Sequence, residues 1–84
     1  MRRRPELPSQ ILKRSIALDG HKTSISLEAC FWAGLKEIAA HEGVSIPTLV
    51  SRIDTDRAHP NLSSAIRLYV LDYYVRLAKK KAKR

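Results

Sequence analysis

The chain has one cysteine, Cys30, so no disulfide can form within it. Its three histidines, His21, His41 and His59, lie far apart and lack the spacing of a zinc site. Its three glycines are isolated, which excludes a glycine-rich phosphate loop. No apolar run approaches the roughly 18 residues of a membrane span. The arginines at the start are not followed by the apolar segment of a signal peptide. Acidic residues are few, with 8 Asp+Glu against 16 Lys+Arg, and they are scattered. No Ser/His/Asp or Cys/His arrangement has a supporting context. An enzyme is not expected, and no cofactor or metal is implied. One free thiol without a targeting signal fits a reducing, cytoplasmic setting.

What is present is positive charge, a formal net +8 over 84 residues. It concentrates at the ends: Arg2, Arg3, Arg4, Lys13, Arg14 and Lys22 near the start, and Arg76, Lys79, Lys80, Lys81, Lys83 and Arg84 at the finish. Such a field favours polyanionic partners. A chain this short buries only about 60–65% of the surface its unfolded form exposes, so a single core is marginal and oligomerisation is the expected help.

Residues 1–12, with two prolines and three arginines, read as a flexible basic arm. Asp19-Gly20 suits a type I′ hairpin turn between "KRSIAL" (13–18) and "HKTSISL" (21–27). Pairing Leu18 with His21 sets Ala17 opposite Lys22, Ile16 opposite Thr23 and Ser15 opposite Ser24. Alternation then puts Ile16, Leu18, Thr23, Ile25 and Leu27 on a core face. Lys13, Ser15, Ala17, Lys22, Ser24 and Ser26 fall on the other. Whether residues 13–18 form the second strand is left open by the sequence.

Residues 28–42 read as a helix with Phe31, Trp32, Leu35, Ile38 and Ala39 in one stripe, stopped by Gly43. Residues 45–56 read as a second helix, capped by Ser45, with Pro47 tolerated in its first turn. "DTDRAHP" (54–60) breaks the pattern. Asn61 or Ser63 can cap a third helix to about residue 78, with Leu62, Ile66, Tyr69, Val70, Tyr73 and Leu77 on one side. Leu68, Leu71 and Val75 lie on another side, which again points to a partner chain. The body of the domain is thus 13–78, and 79–84 form a basic tail expected to fray. Trp32, Tyr69 and Tyr73 read as packing residues, and Cys30 as a surface or interface residue.

The short strand with small or basic alternate residues, followed by two amphipathic helices joined through Gly43-Val44-Ser45, resembles the ribbon-helix-helix DNA-binding domain, the Arc/MetJ class of β-ribbon readers. "HKTSISLE" stands as ribbon, "ACFWAGLKEIAAHE" as first helix and "GVSIPTLVSRID" as turn and second helix. The longer pattern "KRSI…GHKTSISLE…FW…LKEIA…EGVS…LV…ID…NLSSAIRLYVL" is similar to a subfamily of small stand-alone bacterial proteins.

The resemblance implies a mostly α fold with a short β-ribbon, a third helix added at the C-terminus, and an intertwined homodimer. It implies a transcriptional repressor or autoregulator whose ribbon enters the major groove of double-stranded DNA. Lys22, Ser24 and Ser26 would face base edges, joined by Lys13 and Ser15 if the hairpin forms. Ser45, Ile46 and Thr48, at the start of the second helix, would hold a backbone phosphate, with one donor removed by Pro47. Two other readings stand beside it. One is a protein-interaction or antitoxin-like component with a protein partner and weak or no DNA binding. The other is sequence-independent binding through the basic tails.

Overall fold

The computed structural model describes residues 7–56 and 60–82. The first six residues of the expected arm, part of the 54–60 break and the last two residues of the expected tail lie outside them. The order is β1 (Ile11–Leu18), β2 (His21–Glu28), α1 (Ala29–Glu42), α2 (Ile46–Asp56) and α3 (Leu62–Ala82).

β1 and β2 form a two-stranded antiparallel sheet with the register that the Asp19-Gly20 turn dictates. Leu18 sits opposite His21, Ala17 opposite Lys22, Ile16 opposite Thr23 and Ser15 opposite Ser24. Asp19 (φ 50) and Gly20 (φ 83) both have the positive φ of a type I′ turn. The question over residues 13–18 is thereby answered: they are the ribbon's second strand, and both strands come from one chain. The strand starts at Ile11, two residues before the expected boundary, so Ile11 and Leu12 of the expected arm belong to the sheet.

Alternation carries through to burial. Ile16, Leu18, Ile25 and Leu27 are buried on the core face and Thr23 is half-buried. Leu12 and Arg14, opposite Leu27 and Ile25, share that face. Arg14 stays exposed and spreads its guanidinium 5.5 Å from the centre of the Trp32 ring.

The turns at the helix ends follow from the residues there. Glu28, ahead of α1, makes no side-chain cap. The first two helical amides instead donate to the backbone: Ala29 to the Gln10 carbonyl (2.7 Å) and Cys30 to the Pro8 carbonyl (3.0 Å). Backbone leading into β1 thus satisfies donors that a helix start leaves open. Gly43 ends α1 in the left-handed region (φ 72), with the Val44 amide reaching the Ala39 carbonyl at 3.0 Å. Ahead of α3, Asn61 Oδ1 accepts the Ser64 amide at 3.1 Å, which selects Asn61 over Ser63 as the cap.

One core joins all five elements. It contains Ile25 and Leu27 of the sheet, Trp32, Leu35 and Ile38 of α1, Leu49, Val50 and Ile53 of α2, and Ile66 and Val70 of α3. α2 lies beside β1, and α3 beside β2. Of the expected α3 stripe, Leu77 remains 38% exposed because the helix has passed the core at that point. α3 is longer than expected: Lys79, Lys80 and Lys81 continue the helix to Ala82 rather than fraying from residue 78. Lysines in a last turn complement the helix dipole.

Candidate nucleic-acid interface

The outward face of the hairpin carries three successive cross-strand pairs: Lys13 with Ser26, Ser15 with Ser24, and Ala17 with Lys22. Lys13, Ser15, Ala17, Lys22 and Ser24 are exposed, and Ser26 is half-buried. Side chains opposed in this way stand about 5 Å apart at Cβ. The two lysines sit at diagonal corners, separated along the strands by four residues, or about 14 Å. That matches roughly four base-pair steps of B-DNA, at about 3.4 Å each. The serines in the middle can donate or accept, whereas the lysines only donate. The face is therefore cationic at its corners and chemically permissive at its centre.

Residues at the start of α2 adjoin the β1 side of this ribbon. Ile46 and Pro47 line a groove of about 510 Å³ with Ser15, Ala17, Arg14 and Lys36. Thr48 lies with Ala17, Asp19, Ser51 and Arg52 around a second depression. Ser45 and Thr48 are exposed and Ile46 is half-buried. The hydroxyls of Ser45 and Thr48 are engaged with each other at 2.9 Å. The Thr48 amide donates to Ser45 Oγ at 3.2 Å. Pro47 has no N–H, so the amides open to an anion reduce to that of Ile46. The three residues expected to hold a phosphate are thus brought beside the ribbon, with the Ser45 hydroxyl and the Thr48 amide engaged with each other's residue.

Arg14, Lys36 and Arg52 were absent from the sequence-derived set. Arg52 follows Thr48 by four residues, a spacing that places both on one side of a helix and that could have flagged it. Arg14 and Lys36 had no such local signal. They meet α2 only because β1 and α1 converge on its start.

The remaining ionic contacts are structural. Arg67 Nε donates to Glu28 Oε1 at 2.7 Å, joining α3 to the end of β2. The Arg67 guanidinium holds the Glu28 carboxyl below its ordinary value of 4.5. Tyr74 Oη donates to Glu37, and this bond pushes the phenol up to about 12. Burial raises Tyr69. Among the described residues no group of His, Cys, Asp and Glu could hold a metal. No described helix is long and apolar enough to cross a membrane.

A family model described as "Ribbon-helix-helix domain" matches residues 11–74. Among solved structures, an uncharacterized protein from Bordetella pertussis Tohama I is similar at 33% identity with a TM-score of 0.75. The match covers 87% of this chain and 62% of that one. No match is found among curated proteins.

Proposed function

This chain belongs to the ribbon-helix-helix family, whose members are generally DNA-binding regulators rather than enzymes and typically bind as dimers; from that premise we propose that it is a homodimeric, sequence-specific double-stranded DNA-binding protein acting as a transcriptional repressor or autoregulator. The observation that carries the reading is the outward ribbon face, where Lys13, Ser15, Lys22 and Ser24 stand exposed in register. A two-stranded ribbon fits the major groove of B-DNA, about 12 Å wide. Lys22 and Lys13 are the groups suited to guanine O6 and N7. Ser24 and Ser15 supply weaker contacts to either kind of base edge. Ser26, less accessible, lies at the margin of that contact.

The start of α2, with Ser45, Ile46 and Thr48 beside the β1 strand, would bring the Ile46 amide to a flanking phosphate. Arg52 adds a charge there. The lysines at the end of α3 add sequence-independent attraction to the backbone.

The deciding experiment is selection of bound sequences from random double-stranded DNA by the purified protein. Enrichment of a short motif, about four to five base pairs per ribbon, is the expected result. Retention of DNA without enrichment would leave only charge-driven binding. No retention, with an unrelated protein bound instead, would favour an interaction module.

A further inference from the structure

One charge stands where the strand pattern calls for an apolar residue. The core face of β1 runs Leu12, Arg14, Ile16 and Leu18. Ile16 and Leu18 are buried, whereas Arg14 is exposed. Its guanidinium lies 5.5 Å from the centre of the Trp32 ring. The groove of about 510 Å³ beside the start of α2 opens at this point. Leu12, Ile16, Trp32, Ala33, Ile46 and Pro47 give it an apolar lining. Among the described residues, Arg14 and Lys36 are the ionisable side chains that border it.

Local sequence keeps the groove open. Ala29, Ala33 and Lys36 follow at i, i+4 and i+7 on α1, a row along one side of the helix. Two small side chains leave room beside β1, and the lysine ends the row with a charge. Lys36 also follows Trp32 by four residues, so both cations belong to the neighbourhood of one indole.

Among the described residues, neither Arg14 nor Lys36 is paired with a carboxylate. Two like charges at one concave apolar surface, with no counter-ion from the chain, favour an anion there. An inward-pointing charge can also guard an edge strand against unwanted pairing. That accounts for Arg14, but not for a second cation arriving from α1.

We propose that this groove binds a small organic anion, an aromatic carboxylate, as an effector. Sites for small molecules enclose about 300–1,000 Å³ and combine an apolar lining with few polar groups. The flat body would lie against Trp32, Ile46 and Pro47, with its carboxylate towards Arg14 and Lys36. A guanidinium can take a carboxylate through two parallel N–H bonds. Inorganic phosphate would satisfy the cations but leave the apolar lining uncovered. The chain's own start carries Arg2, Arg3 and Arg4, so like charge disfavours it as the occupant. The lining comes from β1, α1 and α2, with no residue of β2 or α3. A second copy paired along the free edge of β2 therefore leaves the groove open.

The groove shares Ser15 with the outward ribbon face and Ile46 with the start of α2. A bound carboxylate would place negative charge beside the flanking DNA phosphate and lower affinity for DNA. This consequence rests on the DNA reading; the site itself does not.

Isothermal titration of the full chain with 2-naphthoate tests the site. One molecule per chain is expected, with a dissociation constant of about 0.1 mM, reasonable for a ligand of this size. The neutral 2-naphthamide should bind about tenfold more weakly or worse, because the charge-assisted bonds are lost. Arg14→Gln and Lys36→Gln should each weaken 2-naphthoate about tenfold. Arg76→Gln removes the same charge from an exposed position on α3, and should change binding less than about twofold. Ala33→Leu keeps both cations but fills the groove, and should weaken binding by about tenfold or more. Arg14, Ala33 and Lys36 are exposed, so each variant should keep the circular dichroism of the parent.

Four outcomes overturn the proposal: no binding of 2-naphthoate up to about 10 mM, equal binding of the amide, an equal loss in Arg76→Gln, or full displacement by an equal concentration of inorganic phosphate. On a selected DNA duplex, saturating 2-naphthoate should weaken affinity severalfold for the parent and not for Lys36→Gln. Unchanged affinity of the parent would overturn the effector role. The titrations contain no DNA, so their failure is distinct from failure of the DNA reading.

Discussion

Trp32 Nε1 donates to the carbonyl of Leu12 at 2.9 Å, tying α1 to a strand twenty residues earlier in the chain. The indole is buried, and its ring lies under the Arg14 guanidinium. Trp32→Phe keeps an apolar ring but removes the indole donor that ties α1 to the Leu12 carbonyl, leaving that carbonyl only its ladder partner, the Leu27 amide. We expect a drop of about 0.5–1.5 kcal/mol in urea unfolding, the net value of one hydrogen bond. Unchanged stability would mean that water replaces the indole without cost.

Gly34 marks the close crossing of α1 and α3. A Cβ there would meet Val70 Cγ1 at 2.9 Å and Tyr74 Cε2 at 3.5 Å. Alanine improves helix propensity by about 1 kcal/mol, but forcing it against a buried valine costs about 1–3 kcal/mol. Gly34→Ala should therefore destabilise the parent by up to about 2 kcal/mol. In a Val70→Ala background the same change should stabilise by about 1 kcal/mol. A double-mutant cycle in urea that shows simple additivity would contradict this close approach.

Specificity and general attraction should separate by residue. Lys22→Ala should cost about 1–3 kcal/mol on the selected DNA sequence if its ammonium reads a guanine. Replacing Lys79, Lys80 and Lys81 by glutamine should preserve sequence preference and flatten the plot of log affinity against log salt, by up to about 0.9 for each phosphate no longer neutralised. Binding isotherms at several salt concentrations give both quantities. Loss of preference in the lysine variant would misplace the reading surface.

Two hydrogen bonds make stability depend on pH at opposite ends of the scale. The Arg67 guanidinium depresses the Glu28 carboxyl from 4.5. Its contribution is present above that value and is lost as pH falls through the lower folded value. The difference in thermal stability between the parent and Glu28→Gln should shrink on acidification below about 4.5. Tyr74 has the reverse sign. Its bond to Glu37 raises the phenol from 10.0 to about 12, so the contribution is full below pH 10 and disappears as pH rises towards 12. Tyr74→Phe should match the parent more closely at the alkaline end than at neutrality.

Much of the fold is determined locally. Asp19-Gly20 sets the hairpin register, because both residues accept positive φ and a two-residue turn admits one pairing. Period-two alternation then assigns Lys13, Ser15, Lys22 and Ser24 to the outside. Period-3.6 stripes place Leu35, Ile38, Leu49, Val50 and Ile66 inside. Ser45, Gly43 and Asn61 end or begin helices through contacts within five residues of themselves.

What tertiary structure alone decided involves residues distant in sequence. The start of β1 at Ile11, the capping of α1 by the Pro8 and Gln10 carbonyls, the Trp32–Leu12 bond and the Gly34–Val70 approach have no signature in any short window. The same holds for the gathering of Arg14, Lys36 and the start of α2 beside the ribbon. Propensity and periodicity specify which face of each element is apolar. Which faces meet, and which polar groups are thereby brought together, is fixed only when the five elements pack on one core.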